Sequence, residues 1–85
     1  MSDLQDKFKQ AAIDVKALTE KPSNEMLLKL YSNYKQATDG DVAGKRPGFT
    51  NIAGRAKFDA WTSLKGQTSD ASMEAYIDVV QSLLK

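Results

Sequence analysis

Cysteine and histidine are both absent from this chain. Without thiols there is no disulfide framework and no thiolate metal site. Without imidazole, the commonest general base at neutral pH and the commonest metal ligand are both missing. No apolar run approaches the roughly 20 residues that span a bilayer. The first residues, Met1-Ser2-Asp3-Leu4-Gln5-Asp6, lack the basic and apolar regions of a secretory signal. Proline occurs twice, at Pro22 and Pro47, so long helices are free to form between breaks. These absences define an expectation of a soluble, cytoplasmic protein that needs neither metal nor cofactor.

What is present is enough for one core. A chain of 85 residues fits a single domain, here taken as residues 1–85, and is too short for two. The net charge of +1 conceals an uneven distribution. Residues 43–66 hold Lys45, Arg46, Arg55, Lys57 and Lys65 against Asp59 alone, a local net of +4. One short basic segment on an otherwise balanced molecule suits a compact anion better than a long polyanion. Nucleic acid is therefore not expected as a partner.

Leu4, Phe8, Ala11, Val15 and Leu18 recur at helical spacing and predict an amphipathic first helix. Ser2 is its candidate N-cap, with Gln5 completing a capping box. Lys21-Pro22-Ser23 ends that helix, and Ser23 caps a second one spanning about residues 24–39. The inner stripe of the second helix is Met26, Leu27, Leu30, Tyr34 and Ala37. A neighbouring stripe carries Leu28, Tyr31, Lys35 and Thr38. Residues 40–50 contain three glycines and a proline, which excludes regular structure. So long a connection permits the third helix to run parallel to the second.

Thr50 or Asn51 caps the third helix, and Gly66 stops it. Its apolar stripe is Ala53, Ala56, Ala60, Trp61 and Leu64, with Lys57 inside that stripe. A lysine on an apolar face must reach water or meet an anion. Ser69 is the candidate cap of the fourth helix, whose inner face is Met73, Tyr76, Ile77, Val80, Leu83 and Leu84. The fold class is all-α: a four-helix bundle with a long crossover loop between helices 2 and 3.

No Ser/His or Cys/His pairing, carboxylate cluster or phosphate-binding Gly-rich loop is present, so an enzyme is not expected. What remains is recognition. Tyr31, Lys35 and Lys57 offer an anion site, the tyrosines offer a surface for a flat ring, and Leu27 with Leu28 offers an aliphatic lane. On residues alone, Tyr31 with Lys35 is also consistent with a core edge and a lysine reaching for water. A helical protein-interaction module using the Tyr31/Tyr34 face is the alternative function.

Several blocks carry a resemblance. They are Lys21-Pro22-Ser23, then Leu30-Tyr31-Ser32-Asn33-Tyr34-Lys35-Gln36-Ala37-Thr38, then Asp39-Gly40-Asp41 and Arg46-Pro47-Gly48. Ala56-Lys57-Phe58-Asp59-Ala60-Trp61, Leu64-Lys65-Gly66 and Ala75-Tyr76-Ile77 follow. Together they resemble the acyl-CoA-binding protein family over nearly the whole chain. Asn24 departs from the acidic residue of many members, and the loop tip at 42–45 matches weakly.

The resemblance implies a noncovalent carrier that binds, buffers and transports medium- and long-chain fatty acyl-CoA esters. It implies that Tyr31, Lys35 and Lys57 hold the nucleotide 3′-phosphate. Ala12, Lys16, Tyr34 and Tyr76 would surround the adenosine and CoA head, and Leu27 and Leu28 would shelter the acyl chain. Expected partners are the long-chain acyl-CoA itself and, transiently, acyl-CoA-using enzymes or membranes. A monomer is expected.

Overall fold

The computed structural model describes residues 3–85, so the candidate cap at Ser2 lies outside the described residues. Four helices form: α1 (Asp3–Asp14), α2 (Asn24–Asp39), α3 (Ile52–Thr62) and α4 (Ser69–Leu84). No strand occurs among the described residues. The all-α expectation and the long loop between α2 and α3 are both met. The first helix is shorter than its apolar stripe, because α1 ends at Asp14 and a 3-10 turn over Val15–Ala17 carries the chain on. Leu18 then turns extended at ψ 133°.

Local sequence sets the ends. The Ser23 hydroxyl accepts from the Met26 N–H at 3.2 Å, and the Asn51 side chain accepts from the Gly54 N–H at 3.0 Å. Each cap satisfies one of the donors a helix start leaves free. Gly40 closes α2 at φ 83°, a left-handed geometry that favours glycine. The cap of α4 is Thr68 rather than Ser69: the Thr68 hydroxyl accepts from the Ala71 N–H at 3.1 Å. Ser69 instead donates its hydroxyl to the Ala37 carbonyl of α2 at 2.6 Å, pinning α4 to α2. Two adjacent hydroxyl residues make this one-residue shift invisible to a capping rule.

The core joins α1, α2 and α4 through Phe8, Ala11, Leu30, Ala37, Met73, Tyr76, Ile77 and Val80. In space the neighbours run α1, α4, α2, α3, with α3 packed on α2 alone. The Cα frame measures 37 × 30 × 14 Å, a slab little more than one helix thick. Leu84, expected inside, is 50 % exposed at the end of α4.

One face of α2 departs from its apolar pattern. Ser32, Asn33 and Gln36 are buried, as is Ser72 of α4. Gln36 donates to the Asp41 carboxylate at 2.8 Å and to the Gln67 carbonyl at 3.0 Å. The Gln67 side-chain amide in turn donates to the Asn33 side-chain oxygen Oδ1 at 3.1 Å and to the Ser72 hydroxyl at 2.9 Å. Asp41 also accepts from the Gly66 N–H at 2.8 Å. Mainly the Gly66 N–H, then the Gln36 amide, hold the Asp41 carboxyl below its usual range. This network clamps the ends of α2 and α3 to the start of α4.

A second clamp ties the crossover loop to α3. Arg46 grips Asp59 with two parallel hydrogen bonds, at 2.9 Å and 2.7 Å. Such a planar fork fixes geometry as well as charge. It also occupies Asp59, leaving its basic segment without a free carboxylate.

Candidate functional site

Helices α2 and α3 run in the same direction with their residues in step. Leu27 and Leu28 face Ile52, Ala53 and Ala56 across one groove. One turn on, the Lys57 ammonium lies 5.4 Å from the Tyr31 ring centroid. Another turn on, the Lys35 ammonium lies 5.1 Å from the Trp61 ring. The two helices thus exchange cation–π contacts, one lysine and one ring from each. The Trp61 Nε1–H donates to the Gly40 carbonyl at 2.9 Å and locks this end.

The charges here are accessible. The Lys57 residue is exposed and the Tyr31 residue half-buried. The Lys35 side chain retains 31 % exposure and pairs with Asp39 one turn along α2. Its pKa is raised, chiefly by the hydrogen bond to the Asp39 carboxylate, against an opposing desolvation effect. The Lys35 ammonium is therefore cationic at neutral pH.

A second aromatic group joins α1, α2 and α4. Tyr34 stacks on Phe8 with centroids 5.4 Å apart and an interplanar angle of 28°. Tyr76 meets Phe8 edge-on at 5.1 Å and Tyr34 at 5.8 Å. Tyr34, placed by its spacing on the inner stripe, is 42 % exposed, so its outer surface remains open to a flat ligand. Tyr76 is buried, and burial raises the pKa of its phenol, which stays neutral at pH 7. Ala12 packs against this core from α1. Lys16 stands exposed on the 3-10 turn, one helical step past Ala12.

Of the residues singled out from sequence, the structure brings Tyr31 to Lys57 and Tyr34 to Tyr76. Lys35 joins them through α2 and Trp61. Leu27 and Leu28 line the same groove of about 580 Å³ as Lys57. Leu28 also borders a second groove between α2, α3 and α4. Lys16 is placed by continuity along the chain rather than by a contact. Sequence reasoning missed Phe8 as the stacking partner of Tyr34, and Trp61 and Asp39 as the partners of Lys35. The i, i+4 spacing of Lys35 and Asp39 was the available signal for the last. Among the described residues no group of acidic side chains forms a metal site.

An apolar groove beside Lys57, with the Lys35–Trp61 contact one turn further on, has the shape and charge to suit an amphipathic anion. Comparison with known proteins makes the class specific. The family model for acyl-CoA-binding protein matches residues 5–80. An acyl-CoA-binding protein of Brassica napus is 48 % identical over 82 residues, covering 96 % of this chain and 89 % of that protein. An acyl-CoA-binding protein homolog of Drosophila melanogaster is 40 % identical over 79 residues, covering 93 % and 92 %. The crystal structure of Oryza sativa acyl-CoA-binding protein 2 superposes with a TM-score of 0.91 at 43 % identity, covering 95 % of this chain and 88 % of that one. That of the Moniliophthora perniciosa protein gives 0.89 at 35 % identity, covering 99 % and 81 %. This chain belongs to the acyl-CoA-binding protein family.

Proposed function

We propose that this chain binds medium- and long-chain fatty acyl-CoA esters noncovalently, buffering and carrying them without chemical change. The observation that carries the reading is the registered pairing of α2 with α3. It sets an apolar groove, lined by Leu27, Leu28, Ile52, Ala53 and Ala56, directly beside Lys57 and one turn from Lys35. Tyr31, Lys35 and Lys57 hold the 3′-phosphate of the CoA nucleotide, where two ammonium groups and a phenol supply charge-assisted donors. The open face of Tyr34 receives the adenine, and Tyr76 backs it. Ala12 leaves room on α1, and Lys16 reaches the head group from the turn that follows. Leu27 and Leu28 shelter the acyl chain.

The division of labour follows from physics. Burying aliphatic chain contributes up to about 0.8 kcal/mol per methylene, and so sets affinity. The phosphate contacts set orientation and selectivity for the CoA head. The carrier acts as a monomeric single domain in the cytoplasm and delivers its ligand to acyl-CoA-using enzymes or membranes. No helix among the described residues is long and apolar enough to cross a membrane.

Calorimetry across a series of acyl chain lengths tests the reading. Affinity should rise by up to about fourfold per added methylene while the chain still fits. Equal affinity for free CoA and its long-chain esters would exclude a carrier whose groove holds the chain. A protein-interaction module would instead capture a partner helix with no lipid present and ignore acyl-CoA.

A further inference from the structure

The Lys35 ammonium is engaged by two groups of the protein itself. Asp39, one turn along α2, pairs with it directly. Two observations separate Asp39 from an ordinary helix-stabilising charge. First, Asp39 is the last residue of α2, where the helix dipole disfavours a negative side chain. Second, the Trp61 ring also lies against the same ammonium, at 5.1 Å, so Lys35 has a neutral support that does not depend on Asp39.

We propose that Asp39 tempers the phosphate affinity of the site by competing with the ligand's phosphate for the Lys35 ammonium. The inference rests on the reading of Lys35 as a phosphate-binding residue. A phosphate bound to Lys35 comes within two hydrogen-bond lengths, about 5–6 Å, of the Asp39 carboxylate. Ligand binding then exchanges one anionic partner for another and sets two like charges side by side. Asp39 thus lowers affinity for every anion that uses Lys35, the 3′-phosphate and adventitious anions alike. Asp39 acts through Lys35 and is not itself a ligand contact.

The test measures the affinities of a long-chain acyl-CoA and its 3′-dephospho analogue, by calorimetry, for the wild type, Asp39→Asn and Lys35→Ala. Asp39→Asn should tighten the 3′-phosphorylated ligand by about two- to fivefold, the range set by a partly exposed charge pair. The dephospho ligand should change by less than half as much. Inorganic phosphate at millimolar concentration should also compete more strongly against the Asp39→Asn protein than against the wild type. A general repacking of the α2 terminus would move both ligands together and leave their ratio fixed, which would overturn the proposal. So would a weakened 3′-phosphorylated ligand, since Asp39 would then be positioning Lys35. If Lys35→Ala weakens both ligands equally, the phosphate assignment of Lys35 falls, and the role of Asp39 with it. If Lys35→Ala discriminates and Asp39→Asn does not, only the role of Asp39 falls.

Discussion

Lys57 of α3 sets its ammonium 5.4 Å from the Tyr31 ring centroid of α2, directly beside the groove that α2 and α3 enclose. The contact gives a lysine on an apolar helix face a place to rest without burying a bare charge. It also holds a cation where a phosphate can reach it.

Lys57→Ala should therefore weaken intact long-chain acyl-CoA by about 1.5–3 kcal/mol, the usual worth of a hydrogen bond to a charged group. That is a loss of roughly ten- to hundredfold. The 3′-dephospho analogue should lose far less. Calorimetry on the two ligands decides it, and equal losses would show that Lys57 does not read the 3′-phosphate.

Leu27 probes the acyl lane more cleanly than Leu28, which borders two grooves. Leu27→Ala should lower affinity for long-chain esters and leave short-chain esters nearly unchanged, flattening the dependence of affinity on chain length. A uniform loss at every length would move Leu27 out of the lane.

Gln36 is the hub of the buried polar network, with 2 % of its surface exposed. Gln36→Leu removes a donor from both Asp41 and the Gln67 carbonyl. Asp41 is exposed and keeps the Gly66 N–H, so the loss falls mainly on the half-buried Gln67 carbonyl and costs about 1–3 kcal/mol at most. Urea denaturation should show a lowered midpoint with little change in slope. An unchanged midpoint would mean that the network contributes no net stability.

Stability should fall on acidification with a defined sign. Asp59, held down mainly by its hydrogen bonds from Arg46, and Asp41, held down mainly by the Gly66 N–H, both titrate below their unfolded values. Their contribution is complete above the unfolded value of about 3.9 and is lost as pH falls through the folded values. At the other end Lys35, raised by Asp39, contributes below its unfolded value of about 10.4 and stops as pH rises through its folded value. With no histidine in the chain, the melting temperature should be nearly flat from about pH 5 to 9. Asp59→Asn should reduce the acid-side loss. A steep change near pH 6.5 would contradict this scheme.

The helices were legible because their signals are local. Ser23 caps where spacing and residue type said it should, Asn51 is one of the two residues expected to cap α3, and the glycines and proline of residues 40–50 marked the crossover. The buried polar network was not legible. Ser32, Asn33 and Gln36 read as a solvent face under any hydrophobic periodicity, and the Gln67 that satisfies Asn33 and Gln36 lies more than thirty residues away. The site was half legible. A lysine among alanines and tryptophan on one helix asked for water or an anion, while the tyrosine-lysine pair on another was equally consistent with a core edge. That Lys57 meets Tyr31 while Lys35 meets Trp61 depends on the parallel register of α2 and α3, which no local rule supplies.

The most direct measurement is a crystal structure of the protein with a bound long-chain acyl-CoA. The 3′-phosphate should lie within hydrogen-bond reach of the Tyr31 hydroxyl and the Lys35 and Lys57 ammonium groups, with adenine on the open face of Tyr34 and the acyl chain between α2 and α3. A phosphate seated away from Lys35 and Lys57, or a chain lying in the groove between α2, α3 and α4, would contradict the proposed site.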